Sequence, residues 1–134
     1  MTAANHKIII EKGATFKIDI QVSENGIVMK DLLGWTVHFA LMHDVDGIVT
    51  EAYTQLGELV PDELSPDDAP DSPPTYLNGN ITVKIDGSNT GTLATLVDPA
   101  LDPFITEYNY FYHIDIKDGT DEIRVLRGKA AVRE

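Results

Sequence analysis

His38, within "WTVHFALM", and His113, within "YNYFYHIDIKDG", each occupy the polar phase of an alternating segment. Two imidazoles facing each other on one sheet surface would be the start of a zinc site. No spacing supplies a third ligand, so two solvent-side strand positions are the simpler reading. His43 opens "HDVDG", whose Asp44 and Asp46 stand at alternate positions like the first oxygens of a calcium loop. Such a loop closes on a glutamate at its twelfth position, and the twelfth residue counted from Asp44 is Gln55. Asp44 and Asp46 are therefore weak calcium candidates, with Glu51 and acidic loop residues as further oxygens. The preferred reading of Asp46-Gly47 is a hairpin turn.

The remaining chemistry is sparse. No Gly-x-Ser-x-Gly occurs, so the nucleophile elbow of hydrolases is missing. "GSNTG" lacks the lysine and spacing of a phosphate loop. Carboxylates abound, but a glycosidase needs two of them about 5–10 Å apart across a sugar-sized cleft. There is no cysteine, which removes disulfides, thiolate metal sites and cysteine catalysis together. The stripe Tyr108, Tyr110 and Tyr112, with Phe111 opposite, is either a sugar platform or the core side of a strand. Burial decides between these, and the core is the preferred reading. The expectation is no catalytic residue, no cofactor and no tightly bound metal: a protein that is not an enzyme.

The chain has 134 residues, 43% of them hydrophobic, enough for one domain (1–134) with a real core. Ten basic residues stand against 22 acidic ones, for a net charge of −12. Nucleic acid is a poor partner for such a chain, and so is an anionic membrane surface. No apolar run approaches the roughly 18 residues that span a bilayer, and "MTAANHKIII" does not read as a secretory signal. From Asp31 to Asp71 lie ten acids, with no Lys or Arg between Lys30 and Lys84. That stretch reads first as a solubilising face, alternatively as a contact surface for a basic partner or cations.

Period-two alternation organises the rest. In "TFKIDIQV", Phe16, Ile18, Ile20 and Val22 share one face. Trp35, Val37, Phe39 and Leu41 do so in "WTVHFALM", and Ile81, Val83 and Ile85 in "NITVKID". Tyr110, Tyr112, Ile114 and Ile116 form a fourth set, and Ile123 with Val125 a fifth. "HKIII" and "GIVTEAY" supply two shorter strands. Gly128 marks a bulge or a close backbone approach. Asn and Asp followed by Gly punctuate the runs, most clearly in "IKDGTDEIRV". Single helical turns are expected in "TGTLATLVD" and "PALDPFITE". Strands joined by turns point to an all-β antiparallel sandwich of about seven strands. One acidic, proline-rich loop interrupts it at about 60–78, with Pro61, Pro66, Pro70, Pro73 and Pro74, and is expected to lie outside the core.

Taken in order, "IIIEKGATFKIDIQV", "GIVMKDLLGWTVHFALM", "GNITVKID", "YNYFYHIDIKDG" and "VLRGKAAV" resemble the small immunoglobulin-like β-domains of tailed bacteriophage virions. The N-terminal domain of phage baseplate upper proteins is one example. The resemblance implies an immunoglobulin-like sandwich. It also makes Asp31-Leu32-Leu33-Gly34 a structural corner: Leu32 anchors it in the core and Gly34 admits the sharp entry into the Trp35 strand. It further implies a structural virion component of tail, neck, baseplate or capsid, assembled in the host cytoplasm. Its partners would be other virion proteins and further copies of itself. The alternative is a carbohydrate- or surface-binding β-sandwich module. The acidic excursion departs from the simplest members of that group.

Overall fold

The computed structural model describes residues 4–24, 27–28, 31–45, 48–63, 73–93 and 110–133. Among them the chain is mostly β-strand, with almost no helix. The strands are β1 (Ala4–Asn5), β2 (Ile8–Glu11), β3 (Phe16–Gln21), β4 (Ser23–Glu24), β5 (Ile27–Val28), β6 (Thr36–Val45), β7 (Ile48–Leu56), β8 (Glu58–Leu59), β9 (Asn80–Ile85), β10 (Tyr110–Lys117) and β11 (Glu122–Arg133). A single helical turn, α1 (Gly87–Thr90), follows β9. It lies in "GSNTG", just ahead of most of the segment where a turn of helix was expected; residues 94–109 lie outside the described residues.

The larger sheet has the order β1-β11-β10-β6-β7, with β2 also pairing β11. The smaller has the order β3-β9-β8, and β4 and β5 form a short ribbon. One expectation is corrected here. The larger sheet is mixed, because β1 and β2 run parallel to β11. The other pairings are antiparallel. No hairpin could dictate the orientation of β1 and β2, since β11 lies at the opposite end of the chain; Ile8 and Ile10 face Ala130 and Val132 across that parallel ladder.

The alternating apolar sets converge on one hydrophobic cluster. It contains Val37, Phe39, Leu41, Tyr112, Ile114 and Ile116 from the larger sheet and Ile81, Val83 and Ile85 from the smaller. Burying each such side chain contributes about 1.5–3 kcal/mol. Phe16, Ile18 and Ile20 are only half-buried against this core. They sit on β3, an edge strand of the smaller sheet, where neighbours cover one flank only.

Two glycines allow close approaches, one between the sheets and one within the larger sheet. Gly57 separates β7 from β8, so the chain leaves one sheet there and joins the other. A Cβ on Gly57 would lie 2.6 Å from the Thr82 carbonyl oxygen, so no larger residue fits without backbone movement. Gly128 is a close approach, since a Cβ there would collide with the His6 carbonyl. The same carbonyl accepts the Tyr112 hydroxyl at 2.6 Å, and the His6 N–H bonds the Arg127 carbonyl at 2.9 Å. The bulge in β11 falls three residues earlier, where the register shifts between Ile114 and Asp115.

Candidate functional site

The corner lies between the two sheets. Leu32 is buried, and the Trp35 N–H donates to its carbonyl at 2.9 Å across Gly34, whose φ is 88°. That is the conformation a glycine adopts at little cost. The Asp31 carboxylate accepts the Leu33 N–H at 3.0 Å, bracing the turn from outside.

The loop after β8 is tied down at both flanks. The Asp62 carboxylate accepts the Thr75 hydroxyl at 2.9 Å, the Leu77 N–H at 2.6 Å and the Asn78 N–H at 3.0 Å. Partial burial opposes its ionised form, but the bonds from Asn78, Leu77 and Thr75 outweigh it and hold the carboxyl below its ordinary value. Tyr76 packs against the core, and its carbonyl accepts the Leu32 N–H at 3.3 Å. The expectation that all of 60–78 lies outside the core is therefore corrected at Tyr76, which packs against the core and bonds the corner. Residues 64–72 lie outside the described residues.

The chemistry-bearing side chains gather on the outer face of the larger sheet, in a groove of about 360 Å³. Its floor is Asp115, a carboxylate only 3% exposed. Arg124 Nε donates to its Oδ1 at 3.0 Å, with Nη2 3.5 Å from Oδ2. The bulge explains this pairing. A continuous register would place Val125 opposite Asp115 and Arg124 opposite Ile116. The shift places Arg124 opposite Asp115 and Ile123 opposite Ile116 instead. One extra residue thus gives a buried charge its counter-charge and keeps both isoleucines inward.

His113 Nδ1 lies 3.3 Å from Asp115 Oδ2 without an aligned hydrogen bond. Burial pushes its imidazole below the ordinary value, against the pull of the Asp115 carboxylate, and Arg124 adds to the lowering. His38 lies opposite Asp115 on β6, its Nε2 2.9 Å from Thr36 Oγ1. The two histidines therefore do share a face, on adjacent strands. Among the described residues no three His, Cys, Asp or Glu side chains are placed to hold a metal ion. Asp44 lies at the end of β6 and Asp46 outside the described residues.

Within the described residues the tyrosine stripe faces inward. Tyr110 and Tyr112 are 4% and 1% exposed, and the Tyr112 ring stacks on Phe39 with centroids 5.9 Å apart. Burial pushes the Tyr112 hydroxyl up to about 12. Neither ring is open to a sugar. Tyr108 lies outside the described residues. Sequence reasoning passed over Asp115 and Arg124. The signal was available in "HIDIKDG": an acid two residues from His113, between isoleucines, on a strand whose partner carries an arginine.

What the arrangement does chemically is hold strands together. A carboxylate neutralised by a guanidinium is a poor base, and the adjacent imidazole is not aligned with it for proton transfer. No protein-family model matches the chain, and no curated protein matches it either.

Proposed function

We propose that the chain is a structural component of a tailed-bacteriophage virion: an immunoglobulin-like β-sandwich that acts as a rigid assembly block, with no catalytic role. The observation that supports the immunoglobulin-like part of this reading is the strand order. One sheet runs β7-β6-β10-β11 and the other β8-β9-β3. In chain order these correspond to the C′CFG and DEB arrangements of an immunoglobulin sandwich. The β2 strand closes the β11 edge.

The site geometry supports a block over a binding module. Tyr110 and Tyr112, which a sugar platform would need exposed, are core, and the Asp115–Arg124 cluster is an inter-strand ion pair. The virion assignment rests on the motif order described above, since fold alone does not specify function. On this reading the partners are other virion proteins and further copies of the chain. The test is recovery from purified particles. Quantitative mass spectrometry of gradient-purified virions should find the chain at a fixed copy number. Its absence from particles, together with saturable glycan binding by the isolated protein, would favour the surface-binding module instead.

A further inference from the structure

Resting on the multi-copy reading above, we propose that β7 is a self-pairing edge: two copies of the chain join antiparallel through it and extend the larger sheet across a two-fold axis. β7 is the terminal strand of that sheet, and among the described residues nothing pairs with its far side. The nine-residue strand carries a single charge, Glu51, and no Lys or Pro. Those are devices by which exposed edges usually avoid pairing. Val49 and Leu56 are 51% and 63% exposed.

The hydrogen-bond alternation shows which main-chain groups point away from β6; of these, the Leu56 carbonyl accepts the Gln55 Nε2 amide at 3.1 Å, a bond that an N–H of the second copy would replace. Gly57 N–H bonds the Val37 carbonyl at 2.9 Å, so that opposed pair is hydrogen-bonded. Alternation then makes Leu56/His38 and Thr54/Ala40 non-bonded pairs, with the main-chain groups of Leu56 and Thr54 directed to the free edge. β7 carries one register shift, between the Leu41 and Met42 pairings, which leaves Ala52 unopposed. Beyond it, continuing the alternation along β6 directs Val49 and Glu51 to the free edge as well. Val49, Glu51, Thr54 and Leu56 also share the outer face of the sheet.

These four positions are self-complementary. With the two-fold axis between Ala52 and Tyr53, Val49 opposes Leu56 of the second copy and Glu51 opposes Thr54. The exposed apolar residues meet each other, and each glutamate faces a threonine, so the like charges stay apart. The bulge sits on the axis in both strands, so it does not disturb the pairing on either side. Up to about eight main-chain hydrogen bonds would form, two for each opposed pair.

The test uses the intact chain. Sedimentation equilibrium from micromolar to millimolar concentration should show a monomer–dimer equilibrium. Thr54→Pro deletes an N–H that β6 does not use, and should weaken dimerisation about tenfold or more through two lost bonds per dimer. Leu56→Lys, which does not touch the backbone, should weaken it comparably with unchanged circular dichroism. Leu77→Lys, at another exposed apolar site, should leave the dimer intact. The chain has no cysteine, so the register can be read directly: Val49→Cys/Leu56→Cys should oxidise to a covalent dimer, and neither single variant should. A monomer at every concentration, or a dimer indifferent to both edge substitutions, overturns the proposal. A monomer that is still recovered in particles overturns the pairing and leaves the virion reading standing. A β7 dimer absent from particles does the reverse.

Discussion

Removing the Arg124 guanidinium should expose the cost of burying Asp115. The Asp115 side chain is 4% exposed and that of Arg124 is 47% exposed. Breaking a fully buried pair by deleting one partner costs about 3–5 kcal/mol, because the other charge is stranded. A fully exposed pair is worth about 0–1 kcal/mol. This pair has a buried anion and a half-solvated cation, which places Arg124→Ala at about 2 kcal/mol of lost stability near neutral pH. Acid should shrink that deficit by charging His113, whose imidazole burial holds below its ordinary value, as a substitute cation 3.3 Å away. Asp115→Leu/Arg124→Leu removes both charges and should recover most of the loss, since apolar replacement of a buried pair is often neutral or better. Urea titrations followed by the fluorescence of the single tryptophan, Trp35, give the free energies. Arg124→Ala within about 0.5 kcal/mol of the parent at pH 7, or a double variant less stable than the single, would refute this account.

Three further outcomes are expected. Thr90→Val keeps the shape of a fully buried side chain but leaves Gly13 N–H without its acceptor at 3.1 Å and the Ala14 carbonyl without its donor at 2.7 Å; chemical denaturation should show a loss of about 1–3 kcal/mol. Phe39→Ala, which opens a cavity beside Tyr112, should cost about 3–5 kcal/mol in the same assay. Asp62→Ala should lower the thermal midpoint at neutral pH. The depressed folded-state carboxyl stabilises the protein above its unfolded value and loses that contribution as pH falls through the folded one, so the difference from the parent should close below about pH 4. A difference that persists unchanged at pH 2 would show that the Asp62 bonds are not its source.

Much of the strand content was readable along the chain because one face of each strand is buried and the side-chain period is two. Ile81, Val83 and Ile85 announce their orientation without any neighbour, and Asp31-Leu32-Leu33-Gly34 announces a turn through the one residue that tolerates its positive φ. Gly128 signalled close approach, though not to what. Tertiary structure alone decided the rest, because it depends on pairing between distant segments. The parallel run of β2 along β11 joins residues more than 110 positions apart, and no local pattern carries its direction. The pairing of Asp115 with Arg124 follows from a one-residue shift in β11 that only the facing strand can register. Tyr76 looked like part of an acidic excursion because its neighbours are prolines and carboxylates, yet its carbonyl and ring complete the corner. Periodicity records which face of a strand is apolar. It does not record which strand lies beside it, and charge pairing, edge exposure and register all belong to that second relation.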